Sequence, residues 1–347
     1  MTGGTLYNGG TTDKGGAIKL TGNGVVNLNG TLISNCWTDK ARSIQNEGGA
    51  IYMSGNAKAN LKNCTIRYCR ALDYGGGIYM EDSGNALNCE NVHVIACKTN
   101  ENLGAGVYQD LGETNWIGGS IKSCRAEEDD GGGFYQDEGK VYMENVRFAS
   151  NYSEDNGGAF YSNTDDGTWF IGCDFVKNRA DDNGGAIYLD NNYLYLEDCT
   201  VTSNTSGGTG GGLYIDSAGS VDVYGKVIIK NNDGTGTMDN LVLESGAFIY
   251  DHGLFPGSEI HLRSESSGDV KIGNGLTSDY QMVNYFVPDY GHLELVDTAD
   301  LNTELRASTF HQGKTAMVVG IAVIMIAIAG AVFYKKKQRK EEHNETE

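Results

Sequence analysis

Apolar and polar residues alternate along most of this chain in short runs, as in Leu194-Tyr195-Leu196 and Val221-Asp222-Val223. A period of two marks a strand with one buried face. Outside one C-terminal stretch, no run carries an apolar stripe at helical spacing, so strands are expected throughout. They recur in units. A motif of the form Gly-Gly-(Ala/Gly)-apolar-Tyr, with local departures, begins at Gly15, Gly48, Gly75, Gly104, Gly131, Gly157, Gly184 and Gly210, at intervals of 26 to 33 residues. A second motif, apolar-x-x-(Asn/Cys), falls six or seven residues earlier at Ile66/Cys69, Val94/Cys97, Ile121/Cys124, Phe148/Asn151, Phe175/Asn178 and Val201/Asn204, with Ile33/Cys36 and Ile228/Asn231 as the outer members. A repeat of about 27 residues with short strands and glycine-marked corners fits one coil of a right-handed parallel β-helix. No coil there buries its inner face alone, and stacking supplies the core. A β-propeller blade needs roughly 40 residues and four strands. The expected fold is all-β: a right-handed parallel β-helix of about eight coils, followed by one C-terminal transmembrane helix.

Numbering each unit from its first glycine puts equivalent residues in columns that stack on consecutive coils. The fourth position (Ile18, Ile51, Ile78, Val107, Phe134, Phe160, Ile187, Leu213) should face inward, as should most of the sixth, where Gln109 and Gln136 need partners and could pair with each other. The fifth and seventh should then face outward. They supply a ladder of Tyr52, Tyr79, Tyr108, Tyr135, Tyr161, Tyr188 and Tyr214 beside a column holding Glu81, Asp110, Asp137, Asp190 and Asp216. Flat rings next to carboxylates suit a carbohydrate, because sugar C–H faces lie on rings and hydroxyls bond to acids. These residues form the candidate ligand face, for a glycan or a surface protein. The plainer explanation is structural: tyrosine favours strands, like residues stack, and the phenol tip tolerates water.

A second acidic column, Asp73, Asn102, Asp129, Asp155 and Asp182, precedes the double glycines. Carboxylates stacked roughly 4.8 Å apart repel one another, so the loop either splays or binds a hard cation. Calcium at Asp73, Asp129, Asp155 and Asp182 is the candidate metal site, and no other cofactor is expected. Neither the EF-hand spacing nor the nonapeptide calcium repeat is present, which leaves a solvated acidic edge as the alternative. Cys36, Cys69, Cys97 and Cys124 share a column with Asn151, Asn178, Asn204 and Asn231. Asparagines so placed can bond to one another and to the corner backbone, and cysteine fills the same space. Stacked cysteines are close enough for disulfides, but no spacing demands them.

Composition narrows the class. Glycine at 50 of 347 residues against 2 prolines excludes collagen and proline-rich linkers. A net charge of -20, with 46 acids against 26 bases, excludes a nucleic-acid binder, which clusters its Lys and Arg on the phosphates. From Ala316 to Tyr334 no residue is charged, and such a helix reaches about 28 Å, close to the hydrocarbon thickness. The cluster Lys335-Lys336-Lys337-Gln338-Arg339-Lys340 should hold its far end in the cytoplasm. The implied location is a plasma membrane or cell envelope, with a single span and the N-terminal domain outside. A signal peptide should accompany that topology, yet Met1-Thr2-Gly3-Gly4 already looks like repeat, so an incomplete N-terminus is expected.

Gly48-Gly49-Ala50-Ile51 and Phe148-Ala149-Ser150-Asn151 resemble the GGAI and FxxN repeats of the polymorphic outer-membrane proteins and, more broadly, of β-helical adhesin-like surface proteins. The resemblance covers about residues 3 to 232 and implies a surface β-helix without specifying its ligand. The chain departs from that type in carrying an apolar helix where an autotransporter barrel would stand. Adhesion to glycans or proteins is the implied role, and a stalk with no ligand of its own is the alternative. Right-handed β-helices also host polysaccharide lyases and hydrolases, for which Asp165-Asp166 and Asp181-Asp182 could supply acids. Such acids recur in nearly every unit, however, as repetition predicts and a unique site would not, so no enzyme is expected. The expected organisation is a β-helix domain over 1–232, irregular terminal coils or a cap with a juxtamembrane linker over 233–314, the transmembrane helix over 315–334, and a basic tail over 335–347.

Overall fold

The computed structural model describes residues 1–39, 46–164, 166–265 and 285–289, and the backbone of 270–274 and 295–297. The coils of the glycine-marked repeat share one plan. In a central coil, Phe160–Ser162, Thr168–Ile171, Asp174–Val176 and Arg179–Ala180 are strands. They pair in parallel with Ile187–Leu189, Tyr193–Glu197, Thr200–Thr202 and Thr205–Ser206 of the next coil. The longer strands join into a 29-stranded sheet wrapped around the molecule, and the two-residue strands form a separate 10-stranded sheet. Among the described residues the chain is all-β.

The corners explain the two motifs. The first glycine of each pair turns the chain with a positive φ, 64° at Gly157 and 64° at Gly184, where a side chain would be strained. The second is excluded from growth by its neighbours. A Cβ on Gly158 would sit 2.4 Å from the carbonyl oxygens of Arg179 and Gly185. In the other motif, the residue before the Asn or Cys takes the left-handed conformation, as Ser150, Lys177 and Ser203 do.

Side chains from the motif's fourth position fill the interior, with Ile51, Ile78, Val107, Phe134, Phe160, Ile187 and Leu213 fully buried. Aromatic rings thicken the core at mid-length: Phe134 stacks on Phe160 at 5.4 Å and Phe148 on Phe175 at 4.7 Å. Gln109 and Gln136 are also buried, but they do not pair with each other. The Gln109 amide donates to the carbonyls of Glu138 and Gly112 and accepts from the Thr114 hydroxyl, while that of Gln136 donates to Gly139 and accepts from Ser162 and Thr168. Turn carbonyls and small hydroxyls lie nearer than the next glutamine.

The corner column carries a second continuous ladder. The Asn151 amide donates to Asn178 Oδ1, that of Asn178 to Asn204, and that of Asn204 to Asn232, each at 2.9 to 3.0 Å. The expected member Asn231 is displaced: it takes the positive-φ corner (56°) and is exposed, so Asn232 enters the column. Cys36, Cys69, Cys97 and Cys124 precede the asparagines there, all buried free thiols. Sharing follows from chemistry. The Cys69 thiol donates to the carbonyl of Arg67, two residues back, as the Asn204 amide does to Thr202.

The helix has about ten turns, more than the eight expected. Thr5–Tyr7 pairs with Leu32–Ser34 ahead of the first double glycine. Beyond Asn232 the strands Leu241–Leu243, Phe248–Leu254 and Glu259–Ser264 go on stacking in parallel without the glycine signature. Among the described residues, the short sheet ends where Asp233–Gly234 meets Thr237–Met238 antiparallel. One compact unit spans Met1–Thr298. Residues 299–347, with the expected transmembrane helix and basic tail, lie outside the described residues. Among those described, no helix is long and apolar enough to cross a membrane.

Replacing Asn178 by Ala removes bonds on both sides of the ladder and strands the backbone N–H of Asn151, which donates to Asn178 Oδ1 at 3.0 Å. A loss of about 2–4 kcal/mol is expected, read as a lowered denaturant midpoint; an unchanged midpoint would show that the ladder is incidental.

Candidate functional site

The tyrosine ladder stands on the side of its strands away from the core, as alternation requires, but its ring faces are not open. Tyr52, Tyr79, Tyr108, Tyr135 and Tyr161 are only 3 to 8% exposed and form an apolar cluster of their own. Consecutive rings from Tyr52 to Tyr214 stack nearly parallel, with centroids 4.8 to 5.6 Å apart. Tyr74 and Leu103, from the flanking loops, pack against them. The expectation of flat rings free for a sugar is therefore corrected: each face already rests on the neighbouring ring, because in-register strands hold like residues one strand spacing apart.

The acids of the seventh position meet the phenol tips of the preceding coil. The Tyr52 hydroxyl donates to Glu81, Tyr108 to Asp137 at 3.4 Å and Tyr161 to Asp190 at 3.4 Å. Tyr214 reaches Glu265 at 2.9 Å, and Asp216 lies beside Glu244. At the N-terminal end Lys14 bonds Tyr52 at 3.3 Å and Glu47 at 2.7 Å. Burial pushes the Tyr52 phenol up to about 12, aided by the Glu81 hydrogen bond. It also raises Tyr79, Tyr108, Tyr135, Tyr161, Tyr188 and Tyr214. Burial, then the charges of Asp137 and Glu81, lifts Asp110 to about 6.

The structure draws together only part of the candidate calcium column. Asp129 and Asp155, joined by Asp130, place carboxylate oxygens within 4.8 Å of one another. Hard oxygen donors in that arrangement are suited to calcium. Asp73 is used internally, accepting from the Asn46 backbone at 2.6 Å and the Asn102 amide at 3.3 Å, and Asp182 is exposed. The sequence pattern passed over Asp130. It stands immediately before the double glycine and accepts the Asn156 backbone N–H at 2.6 Å, a link repeated from Asn183 to Asn156. Burial first, then the neighbouring Asp129 charge, raises Asp130 to about 7 against the pull of that hydrogen bond. Of the acids considered for hydrolysis, Asp165 lies outside the described residues, and Asp181 is held by Arg179 and the Tyr152 hydroxyl.

Residues 3–175 match the family described as the right handed beta helix region, and residues 172–190 match the Chlamydia polymorphic membrane protein repeat. The chain is a polymorphic-membrane-protein-like β-helix protein. The repeat match holds a double glycine, Gly184-Gly185, together with Phe175 and Asn178 of the corner motif. Searches of curated proteins and of solved structures return no significant match.

Two outcomes follow for this β-helix protein. Tyr135→Ser leaves the rings of Tyr108 and Tyr161 unsupported at 5.1 and 4.8 Å, and should lower stability by about 3 kcal/mol, measured by chemical denaturation; a change below about 0.5 kcal/mol would mean the stack contributes little. Asp130 has a folded pKa above its unfolded one, so its contribution is present below about pH 4 and is lost as pH rises towards 7. Asp130→Asn, which keeps the acceptor for Asn156, should therefore raise the melting temperature by about 2–4 °C at pH 8 and leave it unchanged at pH 3.5. An equal gain at both pH values would remove the burial explanation.

Proposed function

We propose that the chain is a surface-displayed β-helical interaction protein, adhesin-like and non-catalytic, carried on a membrane by residues 315–334 with the coils outside and the basic tail in the cytoplasm. The match to the polymorphic membrane protein repeat inside a continuous solenoid carries this reading. The net charge of -20 supports it, since an extended acidic rod stays soluble and resists self-association at a surface. Binding to glycans or surface proteins is the function assigned to the outer faces, and calcium at the Asp129, Asp130 and Asp155 loops would be structural. One observation favours a stalk as the second reading: the tyrosine column is consumed in stacking, which stiffens the rod and leaves that face without open rings.

The full chain, expressed in a host with epitopes in a coil loop and in the tail, tests both halves. The loop epitope should be labelled on intact cells and the tail epitope only after permeabilisation, and the displaying cells should bind a panel of target cells saturably. Labelling of the tail on intact cells would invert the topology. Display without any binding would leave the stalk.

A further inference from the structure

The columns on another face change character half-way along the rod. In register on consecutive coils stand Asn27, Asn60, Asn88 and Asn115, and then Tyr142, Trp169 and Tyr195. The early members form an amide ladder, Asn60 donating to Asn27 at 2.8 Å and Asn88 to Asn60 at 2.9 Å. The later members are half-buried rings, in contrast to the buried tyrosine ladder. Repetition alone does not produce this switch.

Acids accompany the rings. The Tyr142 hydroxyl donates to Glu144 at 3.4 Å and the Tyr195 hydroxyl to Glu197 at 3.1 Å. Trp169 meets Tyr193 edge to face at 6.4 Å, and the Tyr193 hydroxyl donates to the buried Asp222, which also contacts His252 at 2.8 Å. Glu144 and Glu197 are half-exposed carboxylates: Glu197 has one oxygen on a phenol, and Glu144 has one on a phenol and the other on the Asn145 amide at 3.2 Å, so each carboxylate keeps lone pairs for a donor-rich ligand.

We propose that Tyr142, Trp169 and Tyr195, with Glu144 and Glu197, form a binding platform for a neutral, extended oligosaccharide running along the rod axis. This rests on the interaction role proposed above and moves the carbohydrate site away from the Tyr52–Tyr214 column. Unlike the Tyr52–Tyr214 rings, these three are only half-buried, and Trp169 packs edge to face on Tyr193, so successive coils roughly 4.8 Å apart offer sugar units an apolar surface while the carboxylates accept from their hydroxyls. Charge selects the occupant. An anionic glycan or nucleic acid meets the acid column with like charge, and a second copy of a chain carrying -20 would set the same acids against each other.

The test titrates the full-length protein in detergent with cellohexaose, chitohexaose and maltohexaose, and with heparin as the polyanion, following tryptophan fluorescence and calorimetry. At least one neutral hexasaccharide should bind saturably, and Trp169→Ala should weaken it by about ten-fold or more. Glu197→Gln, which keeps shape and size, should also weaken it and guards against misfolding of the tryptophan variant, whose circular dichroism should match the parent. Binding untouched by both variants, preference for heparin, or a dimer that Trp169→Ala splits into monomers would each overturn the proposal. Cell binding that persists unchanged in Trp169→Ala, with no hexasaccharide bound, would overturn this site and leave the adhesive role standing; absence of both display and cell binding would remove the role itself.

Discussion

Up to a shift between Val223 and Gly225, each coil passes its backbone hydrogen bonds to the next in unchanged register. The N–H of Phe160 reaches the carbonyl of Ala186 at 2.9 Å, and that of Ile187 reaches Gly212 at 3.0 Å, one coil further along. Because the side chains of a parallel pair lie directly above one another, this constraint turns any recurring residue type into a column. The stacked phenylalanines, the asparagine amides, the free thiols and the tyrosine rings are all products of it. Slipping one strand by a single residue would exchange inner and outer faces, so the glycine corners that hold the register matter as much as the core itself.

The same constraint has an electrostatic side. Like stacks on like whether or not the contact is favourable, and acids recur in this chain at two places in the coil. At the seventh position the strain is relieved by phenol hydroxyls from the preceding coil, as Asp137 receives Tyr108. In the loop before the double glycine it is relieved by backbone N–H groups, as Asp130 receives Asn156, and by mixing acids with amides: Asp73 is followed by Asn102, and Asp130 by Asn156 and Asn183. Raised carboxyl pKa values at Asp110 and Asp130 mark where burial outweighs that relief.

Much of this was legible in the sequence, because fold and motif coincide. Gly157-Gly158 and Phe148-Ala149-Ser150-Asn151 name two corners, and two corners define the register of everything between them. What failed to show was of four kinds. Coils past Asn232 keep the pairing of Phe248–Leu254 and Glu259–Ser264 but not the glycines, since backbone pairing needs no particular residue once a template strand exists. Asn232 rather than Asn231 enters the column because the apolar residue in register with Val201 is Ile229, while Ile228, the anchor the motif suggested, pairs with Thr200. The alternation rule placed the tyrosines on the outer side correctly but said nothing of what would cover them: exposure depends on loops such as those bearing Tyr74 and Leu103, which no period encodes. The Tyr142, Trp169 and Tyr195 column is spaced as regularly as the motifs themselves, and it went unread because it lies in the variable stretch between them.

The antiparallel turn at Asp233–Gly234 and Thr237–Met238 has a consequence for how such rods behave at high local density. A parallel sheet that simply stopped would present a row of unpaired donors and acceptors matching its own opposite end, a template on which molecules could polymerise end to end. By folding back across that row the chain occupies it with a strand of the wrong polarity. The parallel template of the short sheet thereby ends there, and concentrated molecules are hindered from joining end to end in parallel along that edge.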